Sequence, residues 1–198
     1  LIIGMDEGQI AIIDKEEDTL LLFDGTNAPV ESITSKNESI FLTGHSDGTV
    51  QFWNVDGTAL QTIKTGKGTV VTLAFDLSSD SIAIGKSNGE MQLWSAHGQH
   101  FATHNNAHED AVYDLLFLQN GLLVSVGGDG FMRVWDDQLN EKIKKIKASN
   151  AAIYSVVLVG STVATAGQDG VIHVWSTDDF TLTDTLRGHD DWIWSLGS

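Results

Sequence analysis

Four closely spaced histidines form one group of residues that could take part in chemistry. His97, His100, His104 and His108 lie within 12 residues, and imidazole is a common metal ligand. If this segment is a strand, His100 and His104 share one face, whereas His97 falls in a turn. The spacing of the four matches no standard ligand pattern. The sequence therefore favours structural roles for these residues and predicts no metal site.

Acidic residues form short clusters that could attract a basic partner or calcium. The clusters are Asp14 to Asp18, Asp56, Asp136-Asp137 and Asp178-Asp179. Turns recruit aspartate because its side chain hydrogen-bonds to the nearby backbone. A solvated face of turns that keeps the protein soluble is therefore the simpler interpretation.

The motifs of catalysis are missing from the sequence. It has no cysteine, no Gly-x-Ser-x-Gly elbow, no phosphate-binding Gly-x-x-x-x-Gly-Lys-Ser/Thr loop and no carboxylate pair outside turns. We therefore predict no catalytic residue, no cofactor and no enzymatic activity.

Composition narrows the class of protein. The 198 residues are 41% hydrophobic, which is enough for a core, and 20 glycines against one proline favour many short strands joined by tight turns. A net charge of −16 argues against a nucleic-acid partner, because Lys and Arg supply most of that affinity. No apolar run approaches the roughly 20 residues that span a bilayer. We expect a soluble, cytoplasmic protein without a membrane partner.

A repeat of about forty residues runs through the chain. Trp53, Trp94, Trp135 and Trp175 follow one another at intervals of 41, 41 and 40 residues, and each has a glycine five positions before it. Ile13 takes the tryptophan position in a weaker first copy, 40 residues before Trp53. A fixed period of this length is typical of repeat architectures.

Each repeat has the local chemistry of antiparallel hairpins. An Asp-Gly or Asn-Gly pair in each unit supplies the positive φ that tight turns need, at Asp47-Gly48, Asn88-Gly89, Asp129-Gly130 and Asp169-Gly170. Alternating residues in the third full unit predict four strands, at Ala111 to Leu118, Leu122 to Val126, Phe131 to Trp135 and Glu141 to Ile146. We therefore expect a four-stranded meander per repeat.

These Gly-x-x-Asp-Gly…Trp units resemble the WD-repeat (WD40) family over essentially the whole chain, although only Trp135-Asp136 is a literal Trp-Asp pair. The resemblance implies an all-β propeller of five blade-equivalents. It predicts one domain, 1-198, in which one blade is split between the termini. The expected boundaries are 1-27 plus 188-198 for the split blade, then 28-66, 67-107, 108-148 and 149-187.

The resemblance also implies a buried hydrogen-bonded tetrad in the third full unit. Its members would be His108, Ser125, Asp129 and Trp135. The same positions are incomplete elsewhere: Thr43, Asp47 and Trp53 in the first unit, Asn88 and Trp94 in the second, and Thr165, Asp169 and Trp175 in the fourth. Such a tetrad satisfies polar groups that burial would otherwise leave unpaired.

Two arrangements of the ends remain open. If Trp192 to Leu196 paired with Leu1 to Ile3, the ring would close without exposed edges. Alternatively, the chain is a window from a larger ring. The sequence does not decide between them, nor does it predict an oligomeric state.

Mapping the family's rim onto this sequence predicts where a partner would bind. The rim contains four aromatic residues and three others, namely Tyr113, Tyr154, Trp192 and Trp194 with Glu31, Val71 and Gln168. Tyr and Trp dominate binding hot spots, so we expect a scaffold or adaptor that binds a protein or peptide here. Alternatively these rings are core, or the propeller binds a glycan or small ligand, or the chain is a fragment of a larger propeller.

Overall fold

The fold is built from β-strands in five antiparallel sheets. This computed structural model describes residues 1–14 and 19–197, and no helix occurs in that part of the chain. Most of the acidic cluster at 14–18 lies outside the described residues. The all-β propeller class that the family resemblance implies is confirmed.

The strands follow one another along the chain as consecutive meanders. The N-terminal sheet contains β1 (Ile2–Gly4), β2 (Gln9–Asp14) and β3 (Thr19–Asp24). The first blade contains β4 (Val30–Ser35), β5 (Ile40–His45), β6 (Thr49–Asn54) and β7 (Ala59–Lys64). The second contains β8 (Val70–Asp76), β9 (Ser81–Lys86), β10 (Met91–Ser95) and β11 (His100–His104). The third contains β12 (Val112–Phe117), β13 (Leu123–Gly127), β14 (Phe131–Trp135) and β15 (Glu141–Lys147). The fourth contains β16 (Ile153–Val159), β17 (Thr162–Gly167), β18 (Ile172–Ser176) and β19 (Leu182–Leu186).

Sequence alternation located the strands of the third blade well. Every observed end lies within one residue of the predicted one. The four strands pair in chain order, β12-β13-β14-β15, as a meander requires. The other three full blades repeat this order, so the forty-residue period corresponds to one sheet.

The turn glycines join each blade to the next. Gly130 has a φ of 71°, and a Cβ built on it would lie 2.4 Å from the carbonyl oxygen of Ser149 and 2.7 Å from that of Ala151. Gly48 has a φ of 83°, and a Cβ built on it would also come too close to the loop that enters the second blade. Only glycine permits both this backbone conformation and this close approach. The repeated glycine therefore packs one turn against the next entering loop.

The hydrophobic core lies between neighbouring sheets. Trp135 is fully buried and packs with Met91, Leu93 and Val112, so it fills the space between the second and third blades. Equivalent clusters occupy the three other junctions, from the N-terminal sheet to the fourth blade. Because each large ring removes some 150 to 250 Å² from water, the repeated tryptophans stabilise the contacts between blades.

The two ends of the chain differ from the expected split blade. Within the described residues β1 pairs only with β2, and the N-terminal sheet has three strands. Residues 192–197, which we call the terminal segment, form no strand and lie against the fourth blade. The pairing between Leu1 to Ile3 and Trp192 to Leu196 is therefore not formed.

Contacts with the fourth blade explain the place of the terminal segment. Ile193 is buried and its N–H donates to the carbonyl oxygen of Gly167, 2.9 Å away. The N–H of Leu196 donates to Ser155 Oγ at 3.1 Å. Gly170 approaches the carbonyl oxygens of His189 and Asp191 much as Gly130 approaches the next entering loop. The segment thus occupies the position that the innermost strand of a following blade would take.

Candidate functional site

The tetrad of the third blade forms a continuous chain of hydrogen bonds. Trp135 Nε1 donates to Ser125 Oγ at 2.9 Å, and Ser125 Oγ lies 2.7 Å from His108 Nε2. His108 Nδ1 lies 2.8 Å from an Asp129 carboxylate oxygen. Because an ionised Asp129 can only accept, the Nδ1 proton of a neutral His108 points to Asp129, and Nε2 accepts from the Ser125 hydroxyl. The chain joins the Asp-Gly turn, the entering loop and two strands.

Burial and hydrogen bonding set the charges in this tetrad. Burial lowers the pKa of His108, despite the opposing effect of Asp129. Burial alone would raise the pKa of Asp129, but hydrogen bonds from His108 and from the N–H groups of Glu109 and Phe131 hold that pKa far below its usual range. Arg133 also donates to Asp129, at 2.9 Å. At neutral pH a neutral imidazole therefore faces an ionised carboxylate.

Acid is expected to destabilise the wild-type protein more than a His108→Asn variant. In the unfolded chain His108 regains a pKa of about 6.5, so its contribution to stability is present above that pH and is lost as pH falls toward the lower folded pKa. The free energy of unfolding, measured in urea between about pH 7.5 and pH 5.5, should decline less steeply in the variant, by up to about 1.4 kcal/mol per pH unit. Replacement of the exposed His97 by Asn is the control and should keep the wild-type slope. Equal slopes for all three proteins would contradict a buried neutral His108.

The first blade builds its tetrad from a histidine that sequence reasoning missed. Trp53 Nε1 donates to Thr43 Oγ1 at 2.9 Å, as the partial motif indicated, and Thr43 Oγ1 lies 2.8 Å from His45 Nε2. His45 Nδ1 reaches Thr26 Oγ1 at 2.8 Å and the carbonyl oxygen of Ala28 at 3.1 Å. The signal available in the sequence was the position of His45, directly after Gly44.

In the second blade a buried lysine occupies the position that His45 holds in the first. Lys86 follows Gly85, and its Nζ donates to the carbonyl oxygen of Thr65 at 3.0 Å and to Glu90 at 3.1 Å. Gln92 donates to the same carbonyl and to Glu90, and it accepts from Trp94 Nε1 at 2.7 Å. The lysine side chain is 1% exposed. An ion pair here replaces the hydroxyl and imidazole of the first and third blades.

The fourth blade keeps the tryptophan bond but satisfies its aspartate differently. Trp175 Nε1 donates to Thr165 Oγ1 at 3.0 Å. Asp169 accepts from Ser149 Oγ at 2.7 Å and lies 3.5 Å from His173 Nε2. The three predicted residues are therefore present, and Ser149 stands where a histidine stands in the third blade.

The four predicted aromatic residues meet in one cluster, which we call the aromatic rim. Tyr113 and Tyr154 pack edge to face with centroids 5.1 Å apart. Tyr154 stacks on Trp194 at 4.8 Å with an interplanar angle of 12°. Trp192 lies 5.2 Å from Trp194 and 6.0 Å from Tyr154. The rim is thus a continuous aromatic surface over the third blade, the fourth blade and the terminal segment.

The register of the inner strands explains why these rings meet. Tyr113 and Tyr154 are each the second residue of the innermost strand of their blade, and Trp194 follows the buried Ile193 in the same way. Since β12 and β16 pack side by side, equivalent positions become neighbours. Glu31 and Val71 hold the same position on β4 and β8, outside the ring contacts, while Gln168 is exposed in the turn of the fourth blade.

The rim is only partly buried. Trp194 is 65% exposed and Trp192 is 44% exposed, whereas both tyrosines are half-buried. Burial and then the negative charge of Asp110 raise the pKa of Tyr113, so its phenol stays neutral and can still donate a hydrogen bond. The surface therefore offers aromatic faces together with polar tips.

A buried carboxylate beneath the rim, which sequence reasoning missed, connects three inner strands. Asp114 accepts from the N–H of Val156 at 2.8 Å and from Ser155 Oγ at 3.2 Å, and it also interacts with the Thr72 hydroxyl. Ser155 in turn accepts from Leu196 of the terminal segment. Burial raises the pKa of Asp114 although these donors oppose the shift. The bonds position the strands that carry Tyr113, Tyr154 and Trp194.

The described ranges 1–14 and 19–197 contain neither a cluster of potential metal ligands nor a membrane-spanning helix. No group of three or more potential ligands there could hold a metal ion. The four neighbouring histidines are separated in role: His108 belongs to the tetrad, and His100 hydrogen-bonds to Thr103. The same part of the chain contains no helix that is long and apolar enough to cross a membrane.

Comparison with known proteins identifies the family. A family model described as WD domain, G-beta repeat, matches residues 18–54, 98–136 and 140–176, which together exceed half of the chain. The chain belongs to the WD40 family. WD40 proteins typically act as scaffolds or adaptors in protein interactions, and the domain is generally non-enzymatic.

Several relatives are similar to this WD40 chain over part of their length. Pre-mRNA-splicing factor cwf17 of Schizosaccharomyces pombe is 29% identical over 163 residues, which cover 79% of this chain and 48% of the relative. Cell division cycle 20.1, cofactor of APC complex, from Arabidopsis thaliana is 28% identical over 136 residues, covering 65% and 30% respectively. This chain therefore spans less than half of either relative.

A solved structure supports the fold. The crystal structure of the computationally designed protein Ika8 superposes on this chain with a TM-score of 0.86 at 24% identity. The superposition covers 100% of this chain and 61% of the designed one. The five sheets thus match part of another structure.

Proposed function

We propose that this WD40 protein is a non-catalytic interaction module whose aromatic rim binds a peptide segment of another protein. The observation that carries the proposal is the contact among Tyr113, Tyr154, Trp192 and Trp194, which leaves the outermost ring, Trp194, 65% exposed. Exposed clustered aromatics are uncommon on a surface that has no partner.

The packing of the rim favours binding over a role in the core. Trp194 already stacks on Tyr154, which limits the side-chain freedom that it would lose on binding. The hydrogen bonds of Leu196 and Ile193 hold the backbone on both sides of Trp194. The aromatic surface is therefore already ordered before a partner binds, so binding costs less conformational entropy.

The remaining predicted positions would lie at the periphery of the proposed binding surface. Glu31, Val71 and Gln168 would contact the outer part of a bound segment, where polar and charged groups adjust specificity more than affinity. The charge of −16 supports a protein partner over a nucleic acid. A cytoplasmic location belongs to this proposal as well.

Peptide selection tests the proposal. Peptides displayed on phage would be selected on the wild-type protein and then measured against a Trp194→Ala variant. Loss of a hot-spot aromatic costs at least about 2 kcal/mol, so the dissociation constants of rim-binding peptides should rise about thirtyfold. The thermal midpoint should hardly change, because most of the ring is exposed.

Replacement of Leu182 by Ala supplies the matched control. Leu182 is also an exposed apolar residue, but it lies on β19, the last strand of the fourth blade. The selected peptides should bind this variant as they bind the wild type. Peptides that bind Trp194→Ala with unchanged affinity would overturn the proposal, as would a Trp194→Ala protein that fails to fold.

A further inference from the structure

A concave surface lies between the second and third blades, away from the aromatic rim. It is a groove of about 730 Å³, at the end of the blades that carries the β8–β9, β12–β13 and β14–β15 turns. That volume falls within the range of about 300 to 1,000 Å³ that is usual for ligand-binding clefts. The groove is large enough to receive side chains of a partner.

The floor of the groove is apolar and one of its walls is an exposed phenylalanine. Leu93 is buried, and Phe117 is half-buried against the same core cluster. Phe101, on the outermost strand of the second blade, is 48% exposed. Phe101 is thus partly in contact with water beside an apolar floor. An apolar side chain of a partner that packed there would remove Phe101 and the floor from solvent.

The polar lining of the groove is acidic. Asp76 and Asp137 line it from the second and third blades, and no Lys or Arg is among the described lining residues. The Asp76 carboxylate accepts hydrogen bonds from the hydroxyl groups of Ser78 and Ser79 at 2.8 and 2.6 Å. Burial would raise the pKa of Asp76, but these donors and the N–H of Ser78 lower it, so the group is ionised at neutral pH. A complementary partner must therefore carry positive charge.

We propose that this groove binds an extended peptide segment in which an aromatic or large aliphatic residue is flanked by Lys or Arg. The apolar residue packs on Phe101, Phe117 and Leu93, and the flanking cations lie beside Asp76 and Asp137. The site is separate from the aromatic rim and does not depend on it.

A defined peptide tests this site directly. The probe is a capped, fluorescein-labelled peptide of sequence Gly-Lys-Phe-Leu-Arg-Gly, and its binding is followed by fluorescence anisotropy at low salt. Phe101→Ala and Asp137→Lys should each raise the dissociation constant about tenfold or more. Raising salt from about 50 to about 200 mM should also weaken binding, because the charges are exposed.

Matched variants separate this groove from other surfaces. Leu182→Ala and Asp178→Lys alter an exposed outer-strand residue and a turn charge of the fourth blade, and both should bind like the wild type. Trp194→Ala should also leave binding of this probe unchanged, whatever its effect at the rim. Far-ultraviolet circular dichroism and the unfolding midpoint of each variant confirm that it is folded.

Three results would overturn the proposal. The first is no binding of the probe up to about 1 mM. The second is equal binding of a peptide with glutamates in place of its Lys and Arg, since an apolar cleft alone would then explain the affinity. The third is concentration-dependent dimerisation in light scattering that Phe101→Ala abolishes, because a second copy would then occupy the groove.

Discussion

Replacing Asp129 by alanine is expected to lower the free energy of unfolding by about 3 to 5 kcal/mol. The Asp129 side chain is only 5% exposed, and it accepts from His108, from Arg133 and from two backbone N–H groups. Its removal leaves a guanidinium that is equally buried without its counter-charge. Urea unfolding of the purified variant measures the loss.

The same turn in two other blades provides matched controls. Asp169 is 28% exposed and pairs with Ser149 and His173, so Asp169→Ala should cost less. Asp47 is exposed and, among the residues that the structure describes, bonds only to Thr49, so Asp47→Ala should have the smallest effect of the three. A similar loss for all three variants would show that the turn geometry, and not the buried ion pair of the third blade, determines stability.

Glu90→Ala is expected to have a comparable effect in the second blade, again about 3 to 5 kcal/mol. Lys86 would lose its carboxylate partner and keep its hydrogen bond to the carbonyl oxygen of Thr65 while it stays buried. Burying an ammonium group without a carboxylate partner is costly. Chemical denaturation gives the change in unfolding free energy.

A second substitution in the same pair shows whether the buried charge is the cause. Lys86→Met keeps much of the length of the side chain and removes the ammonium, while Gln92 still donates to the carbonyl oxygen of Thr65. The double variant Lys86→Met with Glu90→Ala should therefore be more stable than Glu90→Ala alone. If the losses of unfolding free energy in Lys86→Met and Glu90→Ala simply add in the double variant, the ion pair does not determine the stability of this blade.

The repeat was predictable from the sequence because it depends on local chemistry. The tryptophan spacing, the turns of the Gly130 type and the alternating residues recur in each of the four full units, and they located the strands of the third blade to within one residue. Residues that act across units were harder to predict. Lys86 and His45 are the clearest cases, because their partners Thr65 and Thr26 lie 21 and 19 residues earlier, in the loop that enters the blade, and follow no family motif.

The aromatic rim was predictable in its members but not in its packing. Equivalent positions on neighbouring inner strands were enough to group Tyr113, Tyr154 and Trp194. The ring stacking and the buried Asp114 depend on how closely β12, β16 and the terminal segment pack, which no single repeat encodes. For the same reason the sequence could not show that the terminal segment lies on the fourth blade, so that β2 is the one partner of β1 among the described strands.

The most direct test of the proposed binding surface is to measure affinity and stability on the same samples. The affinity of a selected peptide and the free energy of unfolding would be determined for the wild type, Trp194→Ala and Leu182→Ala. We expect Trp194→Ala to lose about thirtyfold in affinity with little change in unfolding free energy, and Leu182→Ala to keep both. A Trp194→Ala protein that keeps its affinity, or that loses stability as a buried tryptophan would, by about 3 to 5 kcal/mol, would contradict the account.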